Sequence, residues 1–222
     1  MDAWLDNFAR ASFARSMDTA HDLKTPLNVA VLNLELLRMR LAKLGLAEDD
    51  EKVTGYARAI EMELRRMARI FDAYFLLTTP PATEGAPASL DICALCREAG
   101  QTAGVELSIG EPLAVLAHES RLRQALNLFF EGSGRLIRSE GRQAHAGRSG
   151  AQFSLLVSGT RVSEELDLEK IFKFYYTDLS GNPDLSLATA RLVAETYGGE
   201  LIAAEERDNV VNLRLSFPGD HE

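Results

Sequence analysis

Only two cysteines, one tryptophan and four histidines occur in the 222 residues. Two cysteines cannot build a disulfide framework. No run approaches the roughly 20 apolar residues that span a bilayer. The first ten residues, MDAWLDNFAR, place acids where a secretion signal carries basic residues, so an exported protein is not expected. Positive charge is also in short supply. The formal net charge is −9 and the isoelectric point about 5.1, which argues against a general nucleic-acid binder. No Gly-Lys-Ser/Thr phosphate loop is present, and Gly132-Ser133-Gly134 lacks the third glycine of a dinucleotide loop. With 46% hydrophobic residues and a mean hydropathy of −0.10, the composition is that of a cytoplasmic globular protein without a membrane span. At about 150 residues per domain, one or two domains are expected.

Proline is scarce at first. Residues 1–78 hold one, Pro26, and read as two long helices. Ala20, Leu23, Leu27, Ala30, Leu34, Leu37, Leu41 and Leu44 recur at alternating steps of three and four. Val53, Ala57, Ile60, Leu64, Met67, Phe71 and Tyr74 do the same. Such seams mark coiled-coil-like packing. Gly45 and the acids Glu48 to Glu51 form a turn, the acids suiting the positive end of the second helix. Val31, Leu32, Leu36, Met39, Tyr56, Ile70 and Phe75 widen the apolar stripe beyond what one hairpin covers. A homodimeric four-helix bundle is the expected solution, the alternative being burial against the rest of the chain.

Residues 79–88, TPPATEGAPA, read as a linker. Beyond it, strand-like runs (Leu90–Ile92, Val105–Ile109, Leu113–Ala117, Phe153–Val157, Leu201–Ala204, Val210–Phe217) alternate with helical ones (Ala94–Ala103, Glu119–Phe130, Leu185–Tyr197). Residues 89–222 are therefore expected to form an α/β sandwich on one mixed sheet. Residues 1–78 carry 11 basic and 12 acidic groups against 13 and 21 in the remainder, so the excess negative charge lies in the second half.

The most informative string is His21-Asp22-Leu23-Lys24-Thr25-Pro26-Leu27. At about 100° per residue, His21 lies roughly 120° around the helix from Leu27, beside the seam and facing solvent. Asp22 adjoins it and Thr25 lies one turn on along the same face. Pro26 bends the helix beyond the histidine. An imidazole nucleophile with a carboxylate to orient it and a hydroxyl to position water suits reversible phosphoryl transfer.

These seven residues resemble the phosphoacceptor box of sensor histidine kinases. The resemblance implies that residues 1–78 are a dimerisation and phosphotransfer hairpin. His21 would be the phosphoacceptor, Asp22 the adjacent acid, and Thr25 the residue that supports dephosphorylation of a partner. Lys24 and Asn28 would lie on the face that docks a receiver domain.

Residues 89–222 are similar in order to the ATP-binding domain of the same kinases. The helix from Leu122 to Glu131, the aromatic box Ile171 to Tyr176 and the run Ala188 to Leu201 match it. The residues that would hold nucleotide do not. Glu131 replaces an asparagine that holds magnesium. Val157 replaces the aspartate that accepts from the adenine amino group. Arg161 replaces a glycine. In the lid, Asn182 to Leu187, the glycines are gone and Asp184 would turn charge towards a triphosphate.

The resemblance thus implies a histidine phosphotransferase of a bacterial phosphorelay with a degenerate ATPase-like domain. It would shuttle phosphate between receiver aspartates through His21, without autophosphorylation from ATP. It would hold no cofactor or metal, Mg2+ being supplied by the partner receiver. Its partners would be a second copy, receiver domains of response regulators and an upstream hybrid kinase. With only 20 residues before His21, no input domain is expected if Met1 is the native start. The alternatives are an active or truncated sensor kinase, and a non-catalytic scaffold or response-regulator phosphatase. Cys93-x-x-Cys96 lacks a second ligand pair and reads as two core thiols. His118, His145 and His221 read as surface residues, and Trp4 and Phe8 as a cap on the bundle.

Overall fold

The computed structural model describes residues 27–28, 30–43, 51–78, 87–173, 176–179, 181, 184–206 and 209–220. The chain divides into two compact units, one of Met1–Pro80 with Leu179–Pro183 and one of Pro81–Asp178 with Asp184–Glu222.

In the first unit, residues 30–43 form helix α1 and Glu51–Thr78 form helix α2. Two ion pairs join them. Arg38 meets Glu61 at 2.6 Å and Arg65 meets Glu35 at 2.6 Å, while Glu61 also holds Arg65 of its own helix at 2.7 Å. Partners 38/61 and 35/65 run in opposite order, so the helices are antiparallel. Ala57 is buried, and Leu34, Leu41 and Leu64 are half-buried.

The seam does not all face inward within one chain. Leu37, Ile60 and Met67, all seam positions, are about half exposed, together with Leu32, Leu36 and Met39 at 56%, 52% and 58%. Two helices touch along one stripe each. The second stripe is left as an apolar strip on the hairpin surface.

The second unit begins with strand β1 (Ala88–Asp91), which ends where Asp91 caps helix α3 (Ile92–Thr102). The Asp91 carboxylate accepts from Cys93 N at 3.0 Å and Ala94 N at 3.3 Å. Ile92, expected in the strand, is thereby the first residue of the helix. Then come β2 (Leu107–Ile109), β3 (Ala114–Ala117), α4 (Glu119–Leu136), β4 (Gln143–Ser149), β5 (Gln152–Thr160), a single 3-10 turn (Lys170–Phe172), α5 (Ser186–Thr196), β6 (Glu200–Glu205) and β7 (Val210–Pro218). Strands β1 and β3 form an antiparallel ribbon. The main sheet has the order β2-β4-β5-β7-β6, parallel between β2 and β4 and antiparallel elsewhere.

The fold class is as the sequence implied: a helical hairpin followed by a mixed α/β sandwich. One face of the sheet is covered. Phe153, Leu155, Val157 and Gly159 of β5 stand in register with Phe217, Leu215, Leu213 and Val211 of β7, all on one face. These share one core with Ile92, Leu95 and Cys96 of α3, Leu122, Leu126 and Phe129 of α4, and Leu187, Ala190 and Ala194 of α5. At about 25 cal/mol per Å2 of apolar surface, this layer is the main source of the unit's stability.

Two elements differ from expectation. Strand β4, residues QAHAGRS, has no apolar alternation to announce it, because its inward positions are filled by Ala144 and Ala146. Helix α4 runs to Leu136 rather than Phe130, straight through Gly132 and Gly134. Each glycine costs about 1 kcal/mol in a helix. At Gly132 a close contact explains it: a Cβ there would lie 2.6 Å from Leu187 Cγ and 3.3 Å from Ser186 Cβ. The start of α5 rests on this gap in α4.

Candidate functional site

The histidine box falls at the start of the first unit. His21, Asp22, Lys24 and Thr25 lie outside the described residues, as do Trp4, Phe8 and His221. Asn28 is helical and exposed, one residue beyond the half-buried Leu27.

The four positions where a nucleotide contact was expected to be replaced are all described. Gly132 and Arg135 of α4 both meet α5, the glycine at Leu187 and Ser186 and the arginine at Ser186. Arg135 pairs with Glu131 one turn back on its own helix, and across the gap with Asp184, Nη1 to Oδ1 at 2.7 Å. The same Nη1 lies 3.2 Å from Ser186 Oγ, to which it donates. Asp184 is buried, its side chain 6% exposed. Its Oδ1 accepts from the Ser186 backbone N at 3.0 Å, and its own N donates to Tyr176 O at 3.1 Å. The carboxylate therefore sits at the positive end of α5, turned onto Arg135 rather than into open space. Burial pushes the Tyr176 hydroxyl up from its ordinary value, and the charges of Asp184 and Asp178 add to this. Burial works against the Arg135 cation, but the bond to Asp184 and the charges of Asp184 and Glu131 raise it overall.

Val157 is fully buried in the middle of β5, paired with Ala144 on β4 and Leu213 on β7. It offers no acceptor atom. Arg161 follows the end of β5 and bridges to Ile137. Its guanidinium turns to Asn209 Oδ1 at 2.9 Å and Glu205 at 3.3 Å, bracing strand β6. Between Val157 and Arg161, Gly159 allows Ile137 to close over the strand: a Cβ there would be 2.7 Å from Ile137 Cγ2. The structure thus brings Glu131 and Asp184 together through Arg135, and places Val157 in the core and Arg161 at the sheet end.

Arg135 and Ser186 are the residues that sequence reading passed over. The spacing of Glu131 and Arg135, four apart on a helix, was the available signal. The reach of Arg135 to Asp184, 49 positions on, had none.

The discounted residues divide. Cys93 and Cys96 are buried, and burial raises both thiols, Cys96 well above its ordinary value. His145 is exposed, its Nδ1 2.8 Å from Ser108 Oγ. His118, expected at the surface, is instead half-buried before α4, with Nδ1 2.7 Å from Tyr197 Oη. Among the described residues no helix is long and apolar enough to cross a membrane.

Comparison with known proteins places the first unit. Residues 16–81 match the model of the His Kinase A (phospho-acceptor) domain. This chain has the architecture of a histidine kinase core. The second unit completes it. Full-length ShkA in complex with AMPPNP matches over 94% of this chain, at 19% identity and a TM-score of 0.57. The Acinetobacter baumannii histidine kinase AdeS matches over 90% of this chain and 98% of its own, at 13% identity and a TM-score of 0.58. The chain spans 46% of the length of the ShkA chain. No curated protein sequence matches it. The chain thus combines a segment that matches a phospho-acceptor domain by sequence with an overall fold similar to those solved structures.

Proposed function

We propose that this kinase core is a histidine phosphotransferase, relaying phosphate between receiver-domain aspartates through His21 without using ATP. The transfer balances in two reversible steps. An imidazole nitrogen of His21 attacks the phosphorus of an aspartyl phosphate on a donor receiver. An N–P bond forms, the P–O bond to the aspartate breaks, and the carboxylate leaves. The second step runs in reverse onto the aspartate of an acceptor receiver. Asp22 orients the ring so that the attacking nitrogen keeps its lone pair, and stabilises the positive charge that the ring acquires once the N–P bond has formed. Thr25 positions water for hydrolysis of a partner's aspartyl phosphate. Lys24 and Asn28 contribute to the receiver-docking face, and a second copy completes the four-helix bundle. Mg2+ comes with the receiver.

The observation that carries this reading is the close packing of α5 on α4. Leu187 stands against Gly132, and Asp184, a buried carboxylate, pairs with Arg135 where a triphosphate would bring more negative charge. Val157 supplies no hydrogen-bond acceptor for an adenine amino group. These features weigh against a nucleotide bound at this place. On this reading the phosphate on His21 comes from another protein.

A second reading, an active or truncated sensor kinase, is favoured by the ShkA match, a structure that holds AMPPNP on the same fold. Labelling separates them. The chain is incubated in parallel with γ-labelled Mg–ATP and with a labelled phospho-receiver. The relay requires label only from the receiver. Label taken from ATP supports the kinase. Loss of all labelling with intact biological output after His21→Ala supports a scaffold.

A further inference from the structure

We propose that Arg135 and Asp184 form an internal staple that holds α5 on α4 with no ligand between them. The proposal deepens the nucleotide-free reading above and rests on it. The guanidinium of Arg135 spans both helices. It pairs with Glu131 on α4, and its Nη1 contacts Asp184 Oδ1 at 2.7 Å and Ser186 Oγ at 3.2 Å beside α5. Every residue from Asp184 to Ala190 is buried, so the helix start cannot lift without exposing or stranding polar groups. Asp184 is buried while Arg135 is partly exposed, so removing the arginine charge leaves a buried carboxylate without its cation and is the costlier of the two changes.

The surrounding contacts leave little room for a second position. Gly132 admits Leu187 to within contact of the α4 backbone. Asp184 is held from two more sides, by the Ser186 and Tyr176 backbone bonds. Charge, backbone hydrogen bonds and apolar contact thus all act at one junction. The cation that neutralises Asp184 is thus part of the chain itself.

The test uses the full chain. Arg135→Met keeps the side-chain stem and removes the charge. Asp184→Asn keeps an oxygen that can accept from the Ser186 backbone N and removes the charge. Thermal unfolding is followed for both, for the double variant and for wild type, with hydrogen exchange read on peptides covering 184–190 and on β5 and β7. Each single change should lower the melting temperature by about 2–6 °C. The double change should lower it by clearly less than the two losses added. Exchange over 184–190 should quicken about tenfold in each single variant while β5 and β7 keep their protection. Should Arg135→Met not fold, Arg135→Lys, which keeps the charge and loses the fork, should give an intermediate exchange rate. Unchanged exchange over 184–190, or fully additive losses, overturns the staple. Mg–ATP added to wild type should leave its melting temperature unchanged. A rise overturns the nucleotide-free reading and with it the ligand-free closure, and the coupling measured without nucleotide tells that failure apart from loss of the ion pair itself.

Discussion

Leu187 of α5 packs so closely on Gly132 of α4 that a Cβ on the glycine would lie 2.6 Å from the leucine Cγ. That contact explains why α4 tolerates a glycine at position 132. Gly132→Ala should gain up to about 1 kcal/mol of helix propensity and lose about 1–3 kcal/mol to overpacking. The net loss should appear as a lower urea midpoint. Gly132→Ala with Leu187→Ala should recover much of it.

On the proposed reading Val157 stands in place of a nucleotide-binding aspartate, and one substitution should not restore that function. Its side chain is fully buried between Ala144 and Leu213. Val157→Asp should therefore not create nucleotide binding. It should cost several kcal/mol by placing a carboxyl group in the core, or force that group to stay protonated. Calorimetry with Mg–ATP and thermal unfolding of the variant check both halves.

The exposed apolar strip of the hairpin predicts assembly through it. Leu36→Asp should give monomers, because Leu36 is half exposed in one chain and lies with Leu32 and Met39 on the uncovered strip. Leu34→Asp should instead damage the hairpin itself, because Leu34 is half-buried within one chain. Light scattering and circular dichroism, read together, separate the two outcomes.

Glu61 sets an acid limit on the hairpin. Its hydrogen bond to Arg65 lowers its carboxyl from the ordinary value against the opposing effect of burial, with Arg38 adding to the lowering. A carboxyl lowered in the folded state contributes stability that is complete above its ordinary range and fades as pH falls through its lowered value. Helicity of residues 1–78 should fall with acid below that range. Glu61→Gln should weaken the hairpin at neutral pH and flatten this dependence.

Much of the architecture was legible because it is written in periodicity. The steps of three and four in α1 and α2, and the apolar strands β5 and β7, need only pattern to be found. Strand β4 was hidden because alanines fill its inward positions, so hydrophobicity carried no trace of it. The end of α4 was hidden because Gly132 reads as a break until Leu187 is seen against it. At the site, Glu131, Val157, Arg161 and Asp184 could be named from the resemblance alone. What they do instead could not, because Arg135 meets Asp184 only after the chain has passed through two strands and a turn. His118 was misjudged for the same reason, its partner Tyr197 lying far along the chain.

The roles in the histidine box differ, and so should their variants. His21→Ala should abolish transfer in both directions. Asp22→Asn should slow it within the 10²–10⁴-fold range of general acid–base groups without abolishing it. Thr25→Ala should lower phosphate release from a phospho-receiver and leave transfer nearly intact. Transfer and release are measured side by side.

The most direct measurement is the fate of label from a phosphorylated receiver. After incubation without nucleotide, the chain is separated and the linkage is mapped by acid and base stability and by peptide mass. The account predicts an acid-labile, base-stable phosphoryl group on the peptide containing His21, absent from His21→Ala and passed on to an added second receiver. Label still carried by His21→Ala, or wild-type chain that stays unlabelled by phospho-receiver and becomes labelled by Mg–ATP, would contradict it.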